Sequence, residues 1–529
     1  MVTLTIDGRE VTVAEGTNLV QAAAAAGIEV PTYCYHPGLS VVGQCRICFV
    51  EVEGMPRLVT ACSTPAQPEM AVLTASDRVR EARAAVMEFL LENHPLDCPV
   101  CDQAGECGLQ DYSVEHGLDS THMVDERRTY PSFERRMIGP HVIQNQNRCI
   151  HCTRCIRFTT EIADTADLTM KSRGNHSYID TFDGRPFENP WSACAADVCP
   201  VGALTVKEFR FRARVWHLEE TKTVCPGCSI GCNVMLGHLD GEVHRFVPRG
   251  NTEINGWWMC DYGRFLAAEL NDRTVDVPLE RFGESDRRLG WDTALAEVAR
   301  WLREAPQPLV VASANLSNEA LFAVRRNLVE GARIEVVVPV SEGETRRIKN
   351  GRGVWTSSVD AHPNSTGARQ LGFATADAAN LESYLRDGTG PVLFLDAHAH
   401  PWLMSEGAVA ITTNRQVAVL ARYRTPLVDA ASIVMPLTSW AETEGTYTSS
   451  TGRVQLARRA LPPCGQARPS WEVVYRLALE LGIEQERAVS PRILFAEMAA
   501  EVAAFSGMTW GRLMTEPGMP VHEEVHGVG

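Results

Sequence analysis

Four side chains that bind soft or borderline metals lie within residues 94–111 of this 529-residue chain. The segment reads HPLDCPVCDQAGECGLQD and supplies one imidazole and three thiols, namely His94, Cys98, Cys101 and Cys107. Zinc readily accepts one histidine and three cysteines, whereas cubane iron–sulfur clusters normally take four cysteines. The spacing therefore predicts a single metal centre and leaves zinc and iron both open.

The remaining cysteines fall into groups of the same kind, and 16 of the 17 cysteines precede residue 261. In a reducing cytosol such crowding indicates metal sites rather than disulfides. Three further sets of four are evident: Cys34, Cys45, Cys48 and Cys62; Cys149, Cys152, Cys155 and Cys199; Cys225, Cys228, Cys232 and Cys260. Cys194 and Cys464 fall outside these sets. Four separate sites in one chain suggest a path for electrons, and a scaffold held by zinc is the alternative.

The composition is that of an ordinary globular protein long enough for about three or four domains. A formal net charge of −16 argues against nucleic acid as the main partner. No apolar run approaches the roughly 18 residues of a membrane span. The start, MVTLTIDGRE, lacks the basic region and apolar core of a signal peptide. The sequence therefore predicts a cytoplasmic protein that meets a membrane only through partner subunits.

Residues 1–77 are predicted to form a β-grasp module. VTLTI and VTVAEG flank an Asp7-Gly8 turn, which is a strong hairpin signal, and NLVQAAAAAG indicates a short helix closed by Gly27. ICFVEVEG and RLVTAC add further strands. Small and polar residues around Cys34, Cys45, Cys48 and Cys62 leave backbone N–H groups for the sulfurs. The segment resembles a 2Fe-2S ferredoxin of the respiratory type, which implies these four cysteines as ligands of a 2Fe-2S cluster, with structural zinc as the alternative.

Residues 78–118 are predicted to begin with a helix that delivers His94 to its site. Apolar residues at positions 79, 82, 86, 89 and 90 recur with a helical period. A neutral imidazole in place of a thiolate makes a cluster less negative, which by itself raises its reduction potential.

Residues 119–216 carry half of a bacterial ferredoxin pattern. In those ferredoxins a C-x2-C-x2-C-x3-C-P unit occurs twice, and each fourth cysteine serves the other unit's cluster. NRCIHCTRCIRF supplies three cysteines, but Thr159 stands where its own fourth cysteine would be. The second unit retains only Cys199-Pro200, its other ligand positions being Asn189, Ser192 and Ala195. The pattern predicts a single 4Fe-4S cluster on Cys149, Cys152, Cys155 and Cys199.

Residues 217–275 contain the last group, which runs C-P-G-C-S-I-G-C from Cys225 to Cys232 and ends at Cys260. Zinc ribbons have a similar pattern, so this group alone leaves zinc open. Beside the preceding groups it predicts a third 4Fe-4S cluster. Gly241 and residues 251–256 mark turns between the cysteines.

The order of these segments resembles the G subunit of bacterial NADH–quinone oxidoreductase, respiratory complex I, which is the 75 kDa subunit in mitochondria. RFRARVWHLEETKTVCPGCSIGCNV and GWWMCDYGRF resemble that family's linker and fourth-cluster segments. The resemblance implies one 2Fe-2S cluster and three 4Fe-4S clusters, with all sixteen residues of the four groups as iron ligands and His94 in a one-histidine, three-cysteine site.

The overall fold class is therefore α+β and α/β multidomain, and residues 276–529 are predicted to contain a doubly wound parallel sheet. WDTALAEVARWL and EALFAVRRNLVEG indicate helices, while PLVVASANL, RIEVVVPV, VLFLD and AVAITT indicate buried strands. Residues 443–446 and 452–455 resemble the late segment of molybdopterin oxidoreductases. No cysteine lies between positions 260 and 464 to ligate molybdenum, and the body is short. We expect a catalytically silent domain without molybdopterin, in which Glu444 and Arg453 are surface or packing residues.

The chain has no Gly-rich dinucleotide fingerprint after a strand, so it is not expected to bind NADH or to contain catalytic residues of its own. By resemblance, electrons come from a subunit that binds FMN and NADH. They enter the 2Fe-2S centre, pass to the Cys149 cluster and then to the His94 cluster, and leave to a ferredoxin-like 4Fe-4S subunit. The fourth cluster lies apart. The resemblance places the chain among other subunits of the peripheral arm, at the cytoplasmic face of the inner membrane.

Two other functions remain open from the residues alone. Similar electron-input segments occur in soluble NAD-linked formate dehydrogenases and hydrogenases, although those relatives usually keep both ferredoxin clusters. A structural scaffold stapled by zinc would use the same thiols without redox chemistry.

Overall fold

The computed structural model describes residues 1–131, 135–282, 285–349, 351, 353–398, 400–484 and 490–521. The chain folds as two compact units, residues 1–218 and residues 219–529. In the described part of the chain, no helix is both long and apolar enough to cross a membrane.

The first unit is built from short strands and helices. Its strands are β1 (Val2–Ile6), β2 (Arg9–Val13), β3 (Phe49–Val52), β4 (Val59–Thr60), β5 (Ala71–Leu73), β6 (Arg136–Met137), β7 (Val142–Gln144), β8 (Leu168–Lys171), β9 (Tyr178–Thr181) and β10 (Leu204–Val206). Its helices are α1 (Leu19–Ala25), α2 (Asp77–Leu91), α3 (Gly108–His116), α4 (Arg154–Arg157) and α5 (Cys194–Asp197). The strands form a five-stranded sheet of order β2-β1-β5-β3-β4, a three-stranded sheet of order β10-β7-β6 and the pair β8-β9.

The predicted hairpin and helix of the first 27 residues are confirmed. β1 and β2 pair in antiparallel register across Asp7 and Gly8, which both have positive φ. The side chain of Asn18 accepts the N–H of Gln21 at 3.0 Å and so caps α1. Gly27, with a φ of 70°, ends this helix. The resulting sheet and helix enclose an apolar core that includes two of the predicted ligands, Cys48 and Cys62.

The predicted helix before His94 is also confirmed, but its buried face differs from the apolar pattern. Val79, Arg83 and Met87 are buried, whereas Phe89 is 66% exposed. Arg83 occupies this face because its guanidinium donates to the carbonyl of Phe49 at 3.1 Å, which offsets part of the cost of burying a charge.

The second unit is an α/β body with smaller sheets. Its strands are β11 (Glu219–Val224), β12 (Asn233–Leu239), β13 (Glu242–Pro248), β14 (Leu279–Phe282), β15 (Ser285–Arg288), β16 (Leu309–Val311), β17 (Glu335–Pro339), β18 (Glu342–Lys349), β19 (Trp355–Asp360), β20 (Thr375–Ala376), β21 (Val392–Phe394), β22 (Val417–Ala421), β23 (Ile433–Pro436), β24 (Gly445–Thr448), β25 (Arg453–Ala457) and β26 (Met519–Pro520). Its helices are α6 (Asp261–Arg264), α7 (Ala267–Asn271), α8 (Trp291–Glu304), α9 (Asn318–Val324), α10 (Ser365–Gln370), α11 (Ala378–Asp387), α12 (Glu406–Thr412), α13 (Pro426–Ala430), α14 (Ser470–Glu480), α15 (Pro491–Glu501) and α16 (Trp510–Thr515).

An eight-stranded sheet of order β15-β14-β23-β22-β21-β16-β17-β20 forms the centre of this unit. The pairs from β23 to β20 are parallel, and the β14-β15 hairpin adds antiparallel strands at one edge. Both faces of the sheet are buried, since Val310 packs in one apolar cluster while its neighbours Leu309 and Val311 pack in another. This is the doubly wound arrangement expected from the alternating strands and helices.

One predicted strand, AVAITT, is wrong: residues 408–412 belong to helix α12, and the neighbouring strand is β22. Ala408 and Thr412 are buried one helical turn apart, and the hydroxyl of Thr412 donates to the carbonyl of Ala408 at 2.9 Å. A short apolar run does not distinguish a strand from a buried helix face, and here packing with helical spacing prevails.

Candidate iron–sulfur sites

The first site lies in the loop between α1 and β3 and just after β4. The loop turns at Gly43, which has a φ of 58°. The N–H of Cys34 donates to Sγ of Cys45 at 3.4 Å, and the Sγ atoms of Cys48 and Cys62 lie 3.4 Å apart. Hydrogen bonding with the thiols of Cys45 and Cys62 lowers the pKa of Cys34. The structure therefore brings the four thiols predicted for the 2Fe-2S cluster into one group.

The second site lies between α2 and α3. His94 follows the end of α2, and its backbone N–H donates to the carbonyl of Leu91 at 3.1 Å. Burial lowers the pKa of His94 to about 4, so the imidazole is neutral, the form that ligates a metal. Burial raises the pKa of the Cys101 and Cys107 thiols, and the charge of Cys98 acts on both in the same direction, which indicates that the three thiols are neighbours.

Cys107 stands at the N-terminal end of α3, the position where a helix offers unpaired N–H groups. The N–H groups of Gln110 and Leu109 donate to its sulfur and oppose the effect of burial on its pKa. Such N–H groups stabilise negative charge on a sulfur ligand. The local fold thus favours a thiolate at this position once a positive metal centre is bound.

The third site is a cavity in the first unit whose wall includes all four predicted ligands: Cys149, Cys152, Cys155 and Cys199. Burial raises the pKa of each thiol, to about 12 for Cys149 and about 11 for Cys152. Backbone N–H groups approach the sulfurs, as where His151 donates to Sγ of Cys149 at 3.4 Å. Four thiols around one cavity need a positive centre to become thiolates, and either a zinc ion or an iron–sulfur cluster would supply it.

The positions of the second ferredoxin cluster contribute packing and hydrogen bonds instead. Thr159 is buried and its hydroxyl donates to the carbonyl of Ile156 at 2.9 Å. The amide of Asn189 donates to Asp167 at 2.6 Å, and Ala195 is fully buried. These residues therefore take part in ordinary side-chain packing and hydrogen bonds.

The fourth site is a cavity of the second unit whose lining includes Cys225, Cys228, Cys232 and Cys260. Burial raises the pKa of the Cys225, Cys228 and Cys260 thiols, and that of Cys228 reaches about 11. The N–H of Gly227 donates to Sγ of Cys225 at 3.5 Å. Within the described residues, no three His, Cys, Asp or Glu side chains form a group arranged for a single metal ion.

Several residues near these sites were not anticipated from the sequence. Arg148 is buried beside Cys149 and donates from Nε to the carboxylate of Asp97 at 3.0 Å, which joins the Cys149 segment to the residue before Cys98. Arg346 on β18 lies over the ring of Tyr262, 3.8 Å from its centroid, at the wall of the fourth cavity. For Arg148, the sequence offered one signal, its position directly before Cys149 in the motif NRCIHC.

The residues that were not assigned to any cofactor make ordinary packing and hydrogen-bond contacts. The guanidinium of Arg453 pairs with Glu253 at 2.8 Å and donates to the carbonyl of Gly518 at 3.2 Å. Burial raises the pKa of Glu444. Cys194 is fully buried at the start of α5, and the N–H of Cys464 donates to Glu442 at 3.0 Å.

Five family models match the chain in the order of its sites. They describe a 2Fe-2S cluster binding domain (residues 1–77), the iron–sulfur binding region of NADH-ubiquinone oxidoreductase-G (83–122), the ferredoxin-like domain of NADH-quinone oxidoreductase subunit 3 (139–205), the Fe4S4 domain of molybdopterin oxidoreductase (218–272) and molybdopterin oxidoreductase itself (363–480). Fold and matches together define a multidomain iron–sulfur oxidoreductase chain.

The relatives narrow this class. The mitochondrial 78 kDa subunit of NADH-ubiquinone oxidoreductase from Candida albicans is 31% identical, over 94% of this chain and 85% of that protein. The 75 kDa subunit from Reclinomonas americana is 40% identical, over 58% of this chain and 44% of that protein. The chain therefore belongs to the family of the 75–78 kDa subunit of NADH-ubiquinone oxidoreductase.

A solved NAD+-reducing NiFe hydrogenase in the H2-reduced state is also similar in part. It shares 30% sequence identity with a TM-score of 0.37, over 40% of this chain and 91% of that chain.

Proposed function

We propose that this chain is an electron-relay subunit of an NADH–quinone oxidoreductase, with one 2Fe-2S site and three 4Fe-4S sites. The observation that carries the proposal is the grouping of the predicted ligands: each set of thiols is gathered in the fold, and the segments bearing the first three sets are joined to one another. When bound, the clusters supply one-electron redox chemistry, and the chain supplies their spacing, burial and hydrogen bonds.

The contacts within the first unit support a path from the Cys34 site through the Cys149 site to the His94 site. The loop after Cys34 meets the Cys149 segment where the side-chain amide of Gln44 donates to the carbonyl of His151 at 2.9 Å. The Cys149 segment in turn meets the His94 segment through the Arg148–Asp97 pair. Charged and polar bridges of this kind hold neighbouring sites at fixed separations, and a chain of single-electron steps depends on such separations.

The Cys34 site also borders the His94 site directly, through Tyr33. Its hydroxyl lies 3.2 Å from the carbonyl of Gly108 and 3.4 Å from the sulfur of Met87. Burial raises the pKa of Tyr33, so its phenol remains neutral.

We propose that the α/β domain of the second unit has no catalytic site of its own. The crevice at the carboxyl ends of β16 and β21, where doubly wound folds bind ligands, has a volume of about 210 Å³. Its polar groups hydrogen-bond one another, since His362 lies 3.0 Å from Asn315 and 3.0 Å from Ser341, and the backbone N–H of His398 donates to the carboxylate of Asp396 at 3.1 Å. Mutual pairing of this kind, together with the lack of a cysteine between 260 and 464, supports a domain that holds no molybdopterin.

The partners follow from the same proposal. A subunit that binds FMN and NADH would supply electrons, and a ferredoxin-like 4Fe-4S subunit would accept them. Other subunits of the peripheral arm would hold the chain at the cytoplasmic face of the inner membrane.

Metal analysis combined with low-temperature EPR tests the proposal. The full chain, purified without oxygen, should contain roughly fourteen irons, from one 2Fe-2S and three 4Fe-4S clusters. Dithionite should produce EPR signals of both cluster types, and neither zinc nor molybdenum should be present in stoichiometric amounts. A colourless chain loaded with zinc would contradict the proposal, and a bound pterin metal would favour a formate dehydrogenase or hydrogenase component.

The substitution His94→Cys tests the assigned imidazole ligand. The variant should keep its iron, because a fourth thiolate is a normal ligand of a 4Fe-4S cluster, but one EPR signal should change. The added negative charge should lower the reduction potential of that cluster alone. His122→Cys is a suitable control, since His122 is exposed and hydrogen-bonds Glu88. An unchanged spectrum in His94→Cys would remove His94 from the ligand set.

A further inference from the structure

Two arginines of α4, Arg154 and Arg157, lie between the Cys34 loop and the Cys149 segment. Nη2 of Arg157 donates to the carbonyl of Cys34 at 2.6 Å and to the carbonyl of Cys152 at 3.3 Å. One nitrogen atom thus connects the main chains of two cysteines that belong to two different sites.

Arg154 repeats this arrangement one turn earlier. Its guanidinium donates to the carbonyl of Tyr35, the residue after Cys34, and from Nη1 to the carbonyl of Val198, the residue before Cys199, at 3.3 Å. Residues three apart on a helix share a face, so both guanidinium groups point to the same boundary. The two arginines therefore give two parallel connections between the same pair of sites.

Burying the guanidinium of Arg157 costs hydration free energy, so its burial needs a compensating interaction. Arg157 is only 6% exposed, and a buried guanidinium loses several kcal/mol of hydration unless it is compensated. Its hydrogen-bond partners are the carbonyls of Cys34, Ser40 and Cys152, and the carboxylate of Glu161, which accepts the N–H of Ser40 at 2.8 Å, brings one negative charge to the same segment. Clusters held by four thiolates carry net negative charge, so two such clusters would add counter-charge from either side.

We infer that Arg157, supported by Arg154, is the residue that couples the Cys34 site to the Cys149 site electrically and electronically. The inference rests on the proposed function, because it requires clusters at both sites. With clusters bound, one electron would pass from the Cys34 site to the Cys149 site, oxidising the first and reducing the second; no bond would form or break and no proton would move. The positive charge favours the reduced state of both centres, and Nη2 shortens the path between them.

The test compares Arg157→Gln with Arg157→Lys in the full chain. Arg157→Gln removes the charge, so at a fixed applied potential the ratio of reduced to oxidised cluster should fall roughly tenfold at both sites, as expected for the loss of a charge-assisted interaction. Arg157→Lys keeps the charge but not the forked donor, so both potentials should stay near wild type. In both variants the transfer of an electron between the two sites, followed by freeze-quench EPR, should be slower than in wild type.

Arg415→Gln is the matched control. Arg415 is partly buried and, like Arg157, donates to more than one main-chain carbonyl, those of Gly390 at 2.6 Å and Leu385 at 2.8 Å, but it adjoins none of the four sites. This variant should keep wild-type potentials and transfer rates. It separates the effect of coupling from the effect of removing an arginine that bridges main-chain carbonyls.

Each result decides the inference. Full iron content with unchanged potentials and rates in Arg157→Gln would overturn it. If Arg157→Gln loses iron, Arg157→Lys decides, and loss of iron in both variants would identify Arg157 as a folding residue and also overturn the inference. Failure of the proposed function is distinct, since the wild-type chain would then lack the two signals before any substitution.

Discussion

Substitution of Cys155 by alanine should reduce the iron content from roughly fourteen to roughly ten per chain, as a 4Fe-4S cluster is lost. Cys155 is the second residue of α4 and lies in the wall of the third cavity, and burial raises the pKa of its thiol well above the usual value. Loss of a direct ligand should lower cluster affinity by more than the roughly 10- to 100-fold that outer-shell changes cost. Iron analysis and EPR should show that this one cluster has gone.

The same substitution should interrupt the relay and destabilise the first unit. Without the cluster of the Cys149 site, the proposed route from the Cys34 site to the His94 site would lack its intermediate redox centre. Electron transfer from the Cys34 site to the His94 site should then become the slow step. Three buried thiols would remain around an unfilled core, and binding free energy at a structural metal site is also folding free energy. Thermal unfolding should therefore begin at a lower temperature than in wild type.

Cys194→Ala is the control for this prediction. Cys194 is fully buried in the same domain but stands off the ferredoxin register. Removal of one buried sulfur should cost about 1 kcal/mol of stability and no iron. If Cys194→Ala lost four irons while Cys155→Ala kept them, the predicted ligand set of the third site would be wrong.

The ligand groups could be predicted because their chemistry is local in the sequence. Cys149, Cys152 and Cys155 are three residues apart, and only a few folds and metals accept that spacing. Cys199 was assigned by the Cys-Pro pair that ends a ferredoxin unit, and the structure places it in the same cavity wall. The β-grasp hairpin was equally local, since the turn at Asp7 and Gly8 determines which strands pair.

What surrounds the ligands could not be predicted, because those contacts join residues far apart in the chain. Arg157 and Cys34 are separated by 123 positions, and Arg148 and Asp97 by 51. The sequence shows an arginine beside a cysteine but not which carbonyl or carboxylate it meets. The apolar period of α2 was misleading for the same reason. Phe89 fits that period but is exposed, whereas the charged Arg83 is buried on the face that packs against the rest of the unit.

Gly202→Ala should disturb the His94 site although Gly202 follows the ligand Cys199 of another site. A Cβ atom at position 202 would lie 2.3 Å from Sγ of Cys101 and 3.2 Å from Cβ of Gln103. A sulfur ligand cannot withdraw from this clash without leaving its place in the cluster, and overpacking of this kind costs about 1–3 kcal/mol. We expect the EPR signal of the His94 site to broaden or vanish, with loss of up to roughly four irons.

Two further alanine substitutions make this prediction specific. Gly263→Ala would place a Cβ atom 2.7 Å from Sγ of Cys225 and should alter the signal of the fourth site instead. Gly511→Ala meets no atom within 4 Å and lies in α16, so it should leave every cluster intact and stabilise the helix slightly. If Gly202→Ala and Gly511→Ala gave the same spectra, Gly202 would not be in contact with a cluster ligand. A change confined to the His94 signal would show that the segment after Cys199 packs directly against Cys101, a predicted ligand of the His94 site.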